Sequence, residues 1–281
     1  MDTKLNQLVS QIKEGDSQAL EEFVSLIQDK IYGLALRMLY HPADAEDATQ
    51  EILIKVIVHL DSFRGESKLS SWVYRIAANH LLTARKSRAE KKSISFDSIA
   101  AQIDQMEARA WKQEEAEAYQ GVLVDEVRFS CMQGFQQCLD RDLRIAFVLG
   151  VVMEVSGAQG AYILDITPAA FRKRLSRARN RLQEFMKGRC GMMNPDNPCH
   201  CNAVAKMAAQ EGQLDQDQLP FTLSPKLGMD REFIESLKEM DEMERMSTLF
   251  NSYADMAAPE RFLKELKSMI AADRFALLNL Q

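Results

Sequence analysis

An all-α architecture is predicted by two features of this 281-residue sequence, in which apolar side chains make up 46% of the residues. They recur at spacings of three and four, the periods of a helix packed on one face. Runs of β-branched residues are short, so strands have little to form from. The length allows two or three small domains, each with its own core. No eighteen consecutive residues are apolar, and no apolar stretch follows Met1-Asp2-Thr3-Lys4. Neither a membrane partner nor an export signal is expected, and the predicted setting is the cytoplasm.

Gly15-Asp16 marks the boundary before a long helix through Leu20, Phe23, Ile27, Ile31, Leu34 and Met38, which ends at His41-Pro42. On the next helix Asp44, Asp47 and Glu51 share one face, with Gln50 at its margin. Leu53, Val56, Ile57 and Leu60 share the other. The apolar side is core, and the acidic side is either a solvated face or a docking surface for a basic partner.

From Phe63 to Lys92 the charge reverses: Arg64, Lys68, Arg75, Arg85, Lys86, Arg88, Lys91 and Lys92 stand against Glu66 and Glu90. A cationic segment within an acidic chain is the footprint expected for nucleic acid. Phe63, Trp72 and Tyr74 lie among these charges, where aromatic rings either fill a core or stack on unpaired bases. Trp72 recurs at helical spacing with Leu69, Ile76 and Ala77, which favours packing. Asn79, a short amide near Arg75, offers both a donor and an acceptor to a base edge.

Residues 89–118 read as a linker with helical pieces, its larger apolar groups being Ile94, Phe96, Ile99, Ile103 and Trp111. A second bundle starts near Tyr119, with Val124, Val127, Cys131, Phe135 and Cys138 along one helix. Another opens at Leu139-Asp140-Arg141-Asp142 and runs through Phe147, Val148 and Val151. Ser156 to Leu164, the turn Asp165-Ile166-Thr167 and a basic segment from Pro168 to Leu182 then have the spacing of a helix-turn-helix. Thr167 suits the N-cap and Pro168 the first helical position. Phe171, Leu175, Ala178, Leu182 and Phe185 form the buried stripe of the second helix. Ala169, Lys173 and Ser176 lie opposite it, flanked by Arg172 and Arg177. Gly157 and Gly160 weaken the first helix, each by about 1 kcal/mol relative to alanine.

The net charge of -6 is unevenly spread, because the chain after Cys201 carries fourteen acidic residues against nine basic ones. Five cysteines, an odd number, point to reduced thiols or metal ligands rather than a disulfide framework. Cys190, Cys199 and Cys201, with His200 as a fourth ligand, make a set that zinc accepts, although Cys-x8-Cys-x-Cys is not a standard finger spacing. Cys131 and Cys138 read as core residues. Beyond Pro220 and Pro225, one amphipathic helix is expected through Phe233, Leu237, Met240, Met246, Phe250 and Tyr253, and another through Phe262, Leu266 and Ile270.

Asp44 to Glu51, Leu60 to Gly65 and Ser71 to Asn79 resemble, in order and wording, the polymerase-binding and promoter-melting segment of bacterial RNA polymerase sigma factors of the extracytoplasmic-function (ECF) group. The likeness extends over about residues 10–187. It implies a sigma region 2 bundle at 10–88, a linker at 89–118, a sigma region 4 helix-turn-helix at 119–187 and a helical extension at 188–281. Core RNA polymerase, promoter DNA and an anti-sigma factor are the implied partners. Asp44, Asp47, Gln50 and Glu51 would face core polymerase. Arg64, Trp72, Arg75 and Asn79 would meet the -10 element, with Asn79 holding a flipped base of the non-template strand. Arg172, Lys173, Ser176 and Arg177 would read the -35 element.

The function so implied requires no cofactor; zinc at the cysteines would be an addition. No phosphate-cradling glycine loop, His-Glu-x-x-His motif or catalytic triad is apparent among four histidines, so an enzyme is not expected. The alternatives are a helix-turn-helix regulator of duplex DNA, or a zinc or thiol sensor acting through the carboxy-terminal cysteines.

Overall fold

A computed structural model describes residues 2–84, 94–107, 121–214, 231–252 and 256–259, together with 219, 221, 262, 264 and 268. Twelve α-helices and no strand occur among them. The chain divides into two compact units. One contains Met1–Ser87, Ser156–Phe171 and Asp255–Gln281, and the other contains Arg88–Val155 and Arg172–Ala254.

In the first unit, α1 (Asp2–Lys13) buries Leu5, Leu8, Val9 and Ile12, an i, i+3, i+4, i+7 stripe. Gly15, at φ +90°, turns the chain into α2 (Ser17–Leu39). The Asp16 side chain caps α2 by accepting from the backbone N–H groups of Gln18 at 2.8 Å and Ala19 at 3.1 Å. α3 (Pro42–Val58) and α4 (Leu69–Thr83) complete a four-helix bundle around Leu20, Phe23, Ile31, Ile52, Val56 and Leu81, all fully buried or nearly so. Arg37 is buried in this unit and donates to the Gly33 carbonyl at 3.0 Å.

The helix-turn-helix consists of α8 (Gly157–Leu164) and α9 (Pro168–Arg189). The two glycines that weaken α8 on propensity do not prevent it. Ser156 and Gln159 form a reciprocal capping box, which satisfies the amino-terminal donors. Gly160 lies against the Phe171 ring so closely that a Cβ there would overlap it. Close packing between α8 and the start of α9 thus requires the residue whose helix propensity is poor. Asp165 closes α8 in the left-handed conformation (φ 55°, ψ 44°), and Thr167 Oγ1 accepts from the Ala170 N–H at 3.1 Å to open α9.

The second unit contains α5 (Phe96–Glu107), α6 (Val122–Gln137) and α7 (Arg141–Phe147), which runs on into a π turn at Val148–Val152. It also contains the body of α9, then α10 (Cys201–Gln210), α11 (Arg231–Glu239) and α12 (Glu242–Asn251). Phe185 of α9 packs against Phe96 at 5.0 Å and Phe135 at 5.3 Å between ring centres, while Phe147 meets Phe250 edge-on at 4.9 Å. Buried Arg144 binds the last carbonyls of α6 by donating to Gln136 and Gln137, and donates also to Leu139 just beyond the helix, at 2.9 to 3.1 Å.

The single tail helix expected from Phe233 to Tyr253 is instead two. Asp241 accepts from the Met243 and Glu244 N–H groups at 2.9 Å and starts a new helix. Arg245 then donates to the final carbonyls of α11 at Leu237 and Lys238, to Met240 just beyond it, and to Met193. Arg85, Lys86, Arg88, Lys91, Lys92, Trp111, Tyr119, Pro220, Pro225, Tyr253, Leu266 and Ile270 lie outside the described residues.

Candidate functional site

α3 presents the acidic face. Ala45, Ala48, Thr49, Ile52, Leu53, Val56 and Ile57 turn inward, as does Leu60 just beyond it. Asp47 and Glu51 are exposed, with Asp44 and Gln50 half-buried beside them. His80 of α4 lies under the end of this face, its Nδ1 2.7 Å from Lys55 Nζ and its Nε2 3.8 Å from Glu51. Burial lowers the His80 pKa, the Lys55 charge adds to that, and Glu51 partly opposes it. A neutral ring that accepts from Lys55 at Nδ1 keeps its proton on Nε2, toward Glu51.

α4 buries Leu69, Val73, Ala77, Ala78 and Leu81 and carries three of the candidate -10 residues, Trp72, Arg75 and Asn79, on its other side, while Arg64 lies in the loop before it. Trp72 is half-buried and packs on Phe63 with ring centres 5.6 Å apart. Burial, with Asp2 adding to it, pushes the Tyr74 phenol pKa up, so this ring stays neutral. Arg64 and Asn79 are exposed. Arg75 is engaged within the first unit: it donates to the Tyr162 carbonyl at 3.2 Å, pairs with Asp165 at 3.0 Å and lies over the Tyr162 ring at 5.1 Å. Sequence reasoning missed Tyr162 and Asp165, because neither residue type announces a partner almost ninety positions away.

On α9, Phe171, Ala178 and Leu182 are buried, with Leu175 and Phe185 half-buried, which is the expected stripe. Arg172, Lys173, Ser176 and Arg177 are exposed together on the amino-terminal turns. Three other arginines of this helix pair within the second unit, Arg174 with Asp142 at 3.1 Å, Arg181 with Asp140 at 3.5 Å and Arg189 with Asp104. These residues therefore sort into a group that braces the helix on α5, α7 and the α7 cap, and a group that presents donors outward. A row of this kind at the start of a helix can meet base edges while neighbouring cations meet phosphates.

The cysteine segment leaves the end of α9. Cys190 and Cys199 pair as a parallel bridge, with the Gly191 N–H donating to the Cys199 carbonyl at 2.9 Å. His200 is exposed at the N-cap of α10, and Cys201 is the first residue of that helix. Cys131 of α6 packs with Cys201 against an apolar seam of Leu123, Val124, Val127 and Ala205. All five thiols are free, and burial raises those of Cys131, Cys190, Cys199 and Cys201, which argues against an exposed reactive nucleophile. No helix among the described residues is long and apolar enough to cross a membrane.

Comparison with known proteins matches residues 23–91 to the sigma-70 region 2 family. The ECF RNA polymerase sigma factor SigW of Bacillus subtilis is 31% identical over 192 residues, which cover 66% of this chain and 99% of that protein. The RNA polymerase sigma-H factor of Pseudomonas aeruginosa is 30% identical over 64% of this chain and 93% of its own length. The ECF RNA polymerase sigma-E factor of Escherichia coli is 31% identical, with 64% and 95% covered.

Proposed function

We propose, for a chain that belongs to the ECF group of RNA polymerase sigma factors, that its exposed charged faces divide the work of promoter recognition. The protein directs core RNA polymerase to promoters and initiates transcription there. Asp44, Asp47, Gln50 and Glu51 on α3 dock on core enzyme. Asn79, with Arg64, Trp72 and Arg75 around it, takes part in melting the -10 element. Arg172, Lys173, Ser176 and Arg177 read the -35 element. The polymerisation chemistry stays with the core enzyme, the setting is the cytoplasm, and an anti-sigma factor is a further partner.

The observation that carries this assignment is the sorting of α9, where the stripe packs inward, Arg174 and Arg181 pair with aspartates, and the four candidate readers face out together. A structural arginine needs no outward neighbours of like charge. A reading helix gains from them, because each bidentate base contact discriminates by about 1–3 kcal/mol and each phosphate contact adds salt-dependent affinity.

Strand opening and -35 binding should separate by mutation. Asn79→Ala should lower promoter opening by about tenfold, read as permanganate reactivity of unpaired thymines, because extruding a base costs a few kcal/mol that a hydrogen-bonded pocket must return. Binding to a -35 duplex should hardly change. Arg172→Ala or Lys173→Ala should relax preference at individual -35 positions, roughly five- to hundredfold for a lost bidentate contact. Removal of a phosphate contact would instead weaken all sequences and lower the salt slope by about one unit. If every α9 substitution gives only this second behaviour, the helix does not read sequence.

A further inference from the structure

We infer that Cys131, Cys190, Cys199 and Cys201 form a four-thiolate zinc site that clasps the segment after α9, and helix α10, to helix α6.

Three separate stretches of chain deliver these sulfurs. Cys131 comes from α6, Cys190 from the end of α9, and Cys199 and Cys201 from the approach to α10. The seam formed by Leu123, Val124, Val127 and Ala205 holds α6 and α10 together and brings Cys131 beside Cys201. Cys131 lies within electrostatic reach of Cys199, Cys201 and Cys190. By helical periodicity alone Cys131 reads as a core residue.

The segment from Cys190 to Cys199 is built to hold two of the sulfurs. Paired residues of a β-bridge send their side chains to the same face, so the bridge aims Cys190 and Cys199 together. Cys190 opens a tight turn, its carbonyl accepting from the Met193 and Asn194 N–H groups at 3.0 and 3.1 Å. The Met192 and Met193 N–H groups also donate toward its sulfur. Asn197 Nδ2 fastens the turn from within by donating to the Lys187 and Cys190 carbonyls, each at 2.9 Å. Gly191 is needed because a Cβ there would stand 2.7 Å from the Cys199 carbonyl oxygen.

Arg128, one turn before Cys131 on α6, pairs with Asp125 at 2.9 Å and donates toward the Cys201 sulfur. Backbone N–H groups and a guanidinium aimed at sulfur make up the outer shell that steadies thiolate ligands and offsets their charge. Four soft thiolates in a reduced chain suit zinc, whose structural sites are tetrahedral. On binding, Zn²⁺ takes the place of the four thiol protons, which pass to solvent, and no electron is transferred. Among the described residues no three candidate ligands yet stand at coordinating separation, so closure on the ion requires staggered rotations of the cysteine side chains.

His200 falls outside this set. It is exposed, and its ring lies over Gly191 at the N-cap of α10. Cys138, seven residues beyond Cys131, directs its thiol to the Gly134 carbonyl at 3.5 Å.

The test uses the untagged full-length protein, with zinc measured by elemental analysis and thiols mapped by alkylation and mass spectrometry. Stoichiometric zinc is expected. Cys131, Cys190, Cys199 and Cys201 should resist alkylation until a chelator removes the metal and then react together, while the reactivity of Cys138 should not depend on chelator. Cys131→Ser should lower zinc affinity by at least about tenfold, and His200→Ala should leave it unchanged. The alkylation pattern is read on the wild-type chain, so it stands even if Cys131→Ser folds poorly. Protein without zinc, or zinc retained by Cys131→Ser and lost by His200→Ala, would overturn the assignment.

Discussion

Reversing charge at two positions of α3, with Asp47→Lys and Glu51→Lys, is expected to abolish co-purification with core RNA polymerase while helical content stays intact. Both residues are exposed, so neither change opens a cavity or buries a charge. The internal costs are small. A lysine at 51 would face Lys55 one turn on, a repulsion of about 0.2–0.5 kcal/mol on a helix surface. It would also lose the Glu51 attraction to His80, but that separation is 3.8 Å, whereas Lys55 holds the ring at 2.7 Å. Against a basic partner, placing like charges face to face costs several kcal/mol. Loss of core binding should therefore dominate over any loss of fold. Retained core affinity would remove the docking role from this face.

The second large effect is expected at Gly160. Gly160→Val adds side-chain volume where even a Cβ would overlap the Phe171 ring, and that ring is fully buried. Overpacking of this kind costs about 1–3 kcal/mol. Replacing glycine inside an exposed helix would instead gain about 1 kcal/mol or less. Packing should win, so the variant should melt at a lower temperature and bind a -35 duplex more weakly, because the start of α9 is set by its fit to α8. Binding to core enzyme through α3 should be kept. Gly160→Ala combined with Phe171→Leu should recover part of the loss, since the two sites touch and their effects are coupled. An unchanged melting temperature and unchanged duplex binding would show that this contact does not position the helix.

These two sites also show what the sequence made legible. The acidic face could be read because it is local: Ala45, Ala48, Ile52, Val56 and the charges between them follow one helical period. The stripe of α9 could be read for the same reason, with Thr167 and Pro168 as its start signals. α1 carried an equally regular stripe at Leu5, Leu8, Val9 and Ile12 and was overlooked. The break between α11 and α12 was also written locally, as Asp241 followed three residues later by Glu244, a capping pattern inside an apolar period.

Tertiary contacts were another matter. Gly160 counts against a helix on propensity alone, and only the Phe171 ring shows why no larger residue fits. The sequence offers Arg75 as a contact for the -10 element and gives no sign of its partners within the fold, Asp165, with which it pairs, and Tyr162, which it covers. Cys131 read as one more member of a core stripe, and its nearness to Cys190, Cys199 and Cys201 arises from how α10 returns to α6. Periodicity reports which way a residue faces, not what waits there.

The chain brings promoter specificity to core RNA polymerase. The most direct measurement is transcription in a purified system, with core enzyme and a library of promoter-bearing DNA, in the presence and absence of the protein. Transcripts should begin at defined positions only when it is added, each preceded by a shared pair of -35 and -10 sequences, with thymines in the -10 region becoming reactive to permanganate. If core enzyme gains no defined start sites while the protein alone binds duplex DNA by sequence, it acts as a helix-turn-helix regulator and the assignment fails.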